Sequence, residues 1–197
     1  METIFWNRKD NSLLRQHLVG LLAQGQVLML PTDTIYGLSC RADKETAIAR
    51  IFNIKRRDRG KPLLVLVSSL SMARKFCQIN KRQENSLKTI WQSHRPSSVL
   101  LPHRGLLPQS LTAGSSELAV RLPKSIFLRK MIRVLGVPLV STSANLSGSE
   151  VLDANSARLV FKKGPRPDLL LSGDKNNSRA SRLLRLRADG GVEILRK

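Results

Sequence analysis

Acidic residues are scarce in this 197-residue chain: 14 Asp and Glu stand against 34 Lys and Arg, for a formal charge of +20. Aromatic residues are also few, at 4% with a single Tyr, which argues against stacking platforms for single-stranded RNA. Two cysteines, Cys40 and Cys77, exclude a disulfide scaffold and a cysteine-built zinc site. The three histidines, His17, His94 and His103, lack metal-ligand spacing. No apolar run approaches the roughly 18 residues that span a bilayer, so no membrane association is expected. The start, METIFWNRKD, has no apolar core after a basic segment, so no secretory signal is expected and the compartment is expected to be cytoplasmic. Nucleotide loops of the Walker A type are missing too: Gly60-Lys61 is followed by Pro62, and Lys55 stands where the first glycine belongs. Neither GxGxxG nor GxSxG occurs.

What the chain does have is 41% hydrophobic residues, enough for a folded core and too many for a basic disordered tail. The positive charge is interleaved with that apolar pattern. Arg50 to Arg95 holds twelve Lys and Arg against Asp58 and Glu84 alone, and Arg158 to Lys197 holds eleven against four acids. Such a surface attracts phosphates, nucleotides or RNA.

Periodicity predicts a helix over Asn11–Gln24 with Gly25 closing it, and a helix from an Asp43 cap through Ile54. Further helices are expected near Leu70–Cys77, Arg82–Trp91, Ser125–Leu135 and Asn155–Phe161. Strands are expected at Gln26–Leu30, Leu63–Val67, Val99–Leu101, Leu118–Leu122, Val137–Val140, Asp168–Leu171, Leu183–Leu186 and Val192–Leu195. Leu63–Val67 is apolar throughout, as suits a strand covered on both faces. The alternation argues for one α/β domain over 1–197, with Ser172–Ser181 as the best candidate for a mobile loop.

Three segments place polar groups at strand edges. Pro31-Thr-Asp-Thr-Ile-Tyr-Gly37 follows a short apolar strand, where open α/β sheets bind ligands. Lys55-Arg-Arg-Asp-Arg-Gly-Lys61 packs five cations into seven residues, and a bound triphosphate or pyrophosphate would relieve their repulsion. Ser141-Thr-Ser-Ala-Asn-Leu-Ser147 offers hydroxyls, an amide and backbone N–H groups to an anion.

These three, with AVRLP at 119–123 and PLVSTSANLSG at 138–148, occur in an order and spacing that resemble the YrdC/TsaC family of threonylcarbamoyl-AMP synthases. The resemblance runs from about residue 10 to the end and suggests the short, single-domain bacterial form. It implies a twisted, mixed α/β sheet flanked by helices, with a positive concave active-site surface. It implies condensation of L-threonine, bicarbonate and ATP to threonylcarbamoyl-adenylate and pyrophosphate, with Mg²⁺ carried by ATP and no protein-ligated metal. A partner tRNA-modifying transferase complex would then act on adenosine 37 of ANN-decoding tRNAs. By position, Thr34, Arg121, Ser141 and Ser181 would hold threonine. Lys55, Arg57, Lys61, Ser143, Asn145 and Arg196 would hold ATP, with Lys55, Arg57, Ser143 and Asn145 as the catalytic set. No general base is evident, so chemistry driven by the substrate's own amine is expected.

The chain departs from the family pattern at Asp58, where Pro is usual and where pairing with a neighbouring Arg is expected. Leu66 replaces a threonine-contacting His, and Glu117 stands where Ser or Thr is common. Ser93-His94-Arg95-Pro96-Ser97-Ser98 replaces Trp-Pro-Gly-Pro-x-Thr, and Ser181-Arg-Leu-Leu-Arg185 replaces Ser-Thr-Val-Val-Asp. The alternative from another class is a non-catalytic RNA-binding or ribosome-maturation factor using the same basic cleft. A related branch of unknown activity loses the Ala-Asn pair, and Asn145 argues against it.

Overall fold

The computed structural model describes residues 1–7, 9, 11–150, 152–162, 164–173 and 180–197. Six α-helices alternate with ten strands among them. The helices are α1 (Ser12–Ala23), α2 (Glu45–Lys55), α3 (Leu70–Phe76), α4 (Lys81–Gln92), α5 (Ile126–Leu135) and α6 (Ala154–Val160). The strands are β1 (Glu2–Phe5), β2 (Leu28–Leu30), β3 (Gly37–Arg41), β4 (Leu64–Leu66), β5 (Ser97–Pro102), β6 (Glu117–Arg121), β7 (Leu139–Ser143), β8 (Leu169–Ser172), β9 (Arg182–Leu186) and β10 (Val192–Arg196). They form one mixed sheet in the order β1-β8-β2-β3-β7-β4-β6-β5-β9-β10.

Local chemistry accounts for most helix ends. The Asn11 side chain accepts from Leu14 N and opens α1, and Gly25, at φ +81°, follows its last turn. Asn80 and Gln83 form a reciprocal capping box at the start of α4. Asp43 does not cap α2. Arg41 takes its carboxylate at 2.6 Å, and the capping position falls to Lys44, which makes no side-chain cap. A nearby guanidinium outcompetes the helix N–H groups for that carboxylate. Of the expected loop Ser172–Ser181, residues 174–179 lie outside the described residues.

The sheet has two unequally covered faces. On one, α2, α3, α4 and α6 pack against Met29, Leu38, Val65, Val99, Val120, Val140 and Leu170. On the other, α1 and α5 place Leu18, Leu22, Leu128 and Ile132 over Leu28, Leu66, Leu139 and Leu169. Each of these fully buried side chains contributes about 2 kcal/mol. Alternation along β5, β6 and β9 sends Val99, Leu118, Val120 and Leu186 into the first core. Their neighbours Ser98, Leu100, Ala119, Arg121 and Leu183 therefore share the second face, beyond the reach of α1 and α5. That stretch is the floor of the site.

Candidate active site

A cavity of about 470 Å³ lies on this floor. Leu64, Ser98, Leu100, Ala119, Arg121, Ser141 and Leu183 form its base. The Thr32–Gly37 loop closes one side, Arg57 and Lys61–Leu63 another, and Ser143, Ser181 and Arg196 complete the rim. Eight of the ten residues expected to bind substrate therefore line a single cavity: Thr34, Arg57, Lys61, Arg121, Ser141, Ser143, Ser181 and Arg196. Lys55 and Asn145 do not line it and act from behind.

Arg121 ends β6 with its side chain 5% exposed. Its Nη1 donates to Thr34 Oγ1 at 2.8 Å. Thr34 and Thr32 hydroxyls meet at 2.9 Å, and Thr32 Oγ1 donates to Ile35 O at 2.7 Å. Because the Thr32 proton goes to that carbonyl, Thr34 must donate to Thr32. Proton direction is then fixed from Arg121 to Thr34 to Thr32, and the loop presents a set pattern of donors and acceptors.

Lys55 is 1% exposed and ends α2 pointing inward. Its ammonium donates to Ser143 O, to Asn145 O at 3.0 Å and to Asn145 Oδ1 at 2.6 Å. All three protons are thereby engaged. Burial, with Arg57 nearby, lowers its pKa to about 8. Ser143 Oγ also donates to Asn145 Oδ1 at 2.8 Å, Asn145 Nδ2 donates to Ser149 O at 2.6 Å, and Ser147 N donates to Lys55 O at 2.9 Å. Lys55 thus anchors the serine-rich loop whose Ser143 faces the cavity. Two residues apart, Lys55 and Arg57 would share a side if the chain left α2 as a strand. Instead Arg56 turns through the left-handed region, at φ 49°, and this turn sends Lys55 inward and Arg57 to the cavity wall. Arg57 Nη2 donates to Pro62 O at 3.0 Å, and burial lowers its pKa.

At the opposite wall, Ser98 and Ser181 hydroxyls meet at 2.9 Å and Arg196 Nη2 donates to Ser181 O at 2.9 Å. Gly37 pairs with Ser143 across β3 and β7, and a Cβ there would lie 2.6 Å from Ser141 Oγ. Gly37→Ala is expected to cost about 1–2 kcal/mol by forcing that hydroxyl aside. Urea unfolding of Gly37→Ala and of Gly37→Ala/Ser141→Ala checks it: removal of the hydroxyl should restore most of the loss, and independent, additive costs would exclude the clash.

A model of the Sua5_yciO_yrdC family, described as "Telomere recombination", matches residues 20–197. The chain belongs to this Sua5/YciO/YrdC family. A relative from Yersinia pestis (strain Pestoides F), named threonylcarbamoyl-AMP synthase, is 31% identical over 147 residues, 73% of this chain and 76% of its own. A double variant of P. abyssi Sua5 superposes with a TM-score of 0.89 at 25% identity, covering all of this chain and 57% of that one. The chain thus spans a little over half the length of Sua5. The structure of P. abyssi Sua5 complexed with L-threonine gives 0.88 at 24% identity with the same coverage, which shows the shared fold. E. coli YciO likewise shares it, with a TM-score of 0.85 at 21% identity over 100% of this chain and 94% of its own.

Within this Sua5/YciO/YrdC domain, the departures from the family pattern fall mostly outside the cavity. His94 and Arg95 sit on an exposed turn, whereas the retained hydroxyl of Ser98 is fully buried at the cavity floor. Glu117 and Arg185 compensate one another, forming an ion pair at 3.1 Å across β5, with Glu193 3.7 Å from Arg185. The Asp58 carboxylate does not pair with a neighbouring Arg: it accepts from Gly60 N at 2.9 Å, as an aspartate in a tight turn does, and reaches Arg57 only through its field. Leu66 is 1% exposed and packs under α1 and α5, so its change from His trades a polar contact for core. Sequence reasoning placed Asp33, Tyr36 and Ser98 in segments of interest but gave none of them a role in binding. Tyr36 lines the cavity, and its hydroxyl donates to Gly173 O at 3.1 Å and accepts from Gly173 N at 2.9 Å. The alternation of Ser98 with Val99 was the available signal for Ser98.

Proposed function

We propose that this chain is a threonylcarbamoyl-AMP synthase, condensing L-threonine, bicarbonate and ATP and releasing pyrophosphate. The observation that carries the reading is a buried guanidinium, Arg121, lining the same cavity as Arg57, Lys61, Ser143 and Arg196. A carboxylate on Arg121, whose guanidinium Thr34 holds, leaves the threonine amine facing the cavity, with Ser141 and Ser181 as further polar contacts. The phosphates of ATP lie against Arg57, Lys61, Ser143 and Arg196. The amine nitrogen bonds to the bicarbonate carbon and water leaves, giving a carbamate. A carbamate oxygen then attacks the α-phosphorus, the bond to the β-phosphate breaks, and pyrophosphate departs. The cationic wall stabilises charge building on the phosphoryl oxygens. Among the described residues no His, Asp or Glu lines the cavity, and the reading uses the substrate amine as nucleophile without invoking a protein base. Mg²⁺ would come with ATP, held by its phosphates, and would neutralise charge there beside Arg57, Lys61 and Arg196. The adenylate is consumed by a partner complex that modifies adenosine 37 of ANN-decoding tRNAs.

The test is ATP–pyrophosphate exchange by purified protein. Exchange should require threonine and bicarbonate together, and exchange indifferent to either sinks the reading. One observation favours RNA binding as a second property: Arg50, Arg56 and Arg59 border a concavity of about 460 Å³ along α2, with Thr46 and Asn53. Tight, steeply salt-dependent binding of structured RNA that ignores ATP and threonine would support it. No helix among the described residues is long and apolar enough to cross a membrane.

A further inference from the structure

Asp33 sits between the two threonines of the cavity loop but does not itself line the cavity. Its Oδ1 lies 2.7 Å from Arg121 Nη2, and its Oδ2 accepts from Lys124 N at 3.0 Å, just past β6. Arg121 is thus gripped at two corners, by Thr34 on Nη1 and by Asp33 on Nη2. The contact with Asp33 is an ion pair without hydrogen-bond geometry. Arg121 Nε and Nη2 are buried and have no hydrogen-bond partner among the described residues. Both atoms are closed off from solvent, so the plane of the guanidinium rests on its contacts with Thr34 and Asp33.

A planar group held at one corner can still swing about that corner. Held at two corners, it has its plane set. Thr34 alone would leave the fork free to tilt, and the backbone bond to Lys124 N keeps Asp33 from following it. Burial sharpens the effect, because a charge 5% exposed has no solvent to compensate a misplaced bond.

We propose that Asp33 is a positioning residue for recognition of the substrate carboxylate: acting through Arg121, it holds the guanidinium in one orientation at the cavity floor and so sets the preference for an α-carboxylate over its neutral amide. The proposal rests on the reading of the cavity as a threonine site. Asp33 never touches the substrate. Its removal is therefore felt in threonine recognition and not in the chemical step.

The experiment compares wild type, Asp33→Asn and Asp33→Glu. Threonine binding is read by calorimetry with ATP present, and exchange kinetics are run with L-threonine and with L-threoninamide. Asp33→Asn keeps an oxygen for Lys124 N and loses the ion pair. Its threonine affinity should weaken ~10-fold, with kcat within about twofold and the KM for ATP unchanged. The preference for threonine over threoninamide should narrow by a similar factor. Asp33→Glu retains the charge one methylene out of place and should show the same narrowing, which keeps the test decisive if Asp33→Asn folds poorly. If Asp33 is only a buried counter-ion, melting temperature falls while the acid-over-amide preference stays as in wild type, and the proposal is overturned. Wild type that binds threonine without exchanging pyrophosphate refutes the enzyme reading alone. Variants indistinguishable from an active wild type refute this inference alone.

Discussion

Replacement of Arg121 by alanine should lower kcat/KM for threonine by two to three orders of magnitude while ATP affinity changes little. A desolvated arginine–carboxylate fork lost from one side costs about 2–5 kcal/mol, and Arg121 has the burial that places it in that range. The proposed ATP contacts, Arg57, Lys61, Ser143 and Arg196, line other walls of the cavity, so the loss should be confined to one substrate. Arg121→Lys should rescue poorly, because an ammonium supplies charge without the planar fork. Removing the guanidinium also leaves Asp33 buried beside an empty volume, so a fall in stability of about 2–3 kcal/mol is expected alongside. The assay must therefore run well below the variant's melting temperature. Exchange kinetics at varied threonine and at varied ATP separate the effects, and a threonine KM within threefold of wild type would remove Arg121 from the substrate site.

How far this site could be read from residues alone follows from the range over which each interaction acts. The first helix is legible because Asn11, the leucine spacing and Gly25 all lie within one short window. The apolar run around β4 is legible because both of its faces are covered, with Val65 in one core and Leu66 in the other. The strand β3 is a different case. Gly-Leu-Ser-Cys-Arg has little strand preference of its own, and its extended form comes from antiparallel pairing with β2 and β7 on either side. The edge strand β1, four residues held by β8, is likewise set by tertiary pairing. Motif spacing brought Thr34, Arg121 and Ser143 into one cleft, yet it could not tell which cations face the cavity. Lys55 and Arg57 are two residues apart, and only the left-handed turn at Arg56 decides that one goes behind the loop and the other to the wall. The ion pair between Glu117 and Arg185 shows the same limit in reverse. Each looks like a defect by itself, and their mutual compensation depends on strand order, with β5 between them.

The largest effect not routed through substrate contact is expected at Lys55. Lys55→Ala deletes three hydrogen bonds to Ser143 and Asn145; Ser143 O keeps Asn145 N and Asn145 Oδ1 keeps Ser143 Oγ, but all three oxygens lose the charged donor that ties them to α2. Bonds to a charged donor are worth about 1.5–3 kcal/mol each before the cost of burying the ammonium is subtracted, so a net loss of roughly 3 kcal/mol is expected. The loop from Ser143 to Ser149 then loses its anchor, and a hydroxyl that must meet a phosphate within a fraction of an ångström does so only rarely. Exchange activity should drop about a hundredfold with both substrate affinities affected. Lys55→Met separates packing from charge, since it refills the volume without supplying protons. Stability should also carry a pH signature. The folded-state pKa is near 8 and the ordinary lysine value is 10.5. Below about pH 8 both states hold the proton, and the cost of burying it is constant. Between pH 8 and 10.5 the unfolded chain keeps a proton that the folded chain has lost, so the Lys55 contribution to stability rises with pH. Urea unfolding of wild type and Lys55→Met across that window should give a difference that grows in favour of wild type. A difference that stays flat or shrinks would mean that the ammonium remains charged in the fold, with its three acceptors outweighing the burial that lowers its pKa.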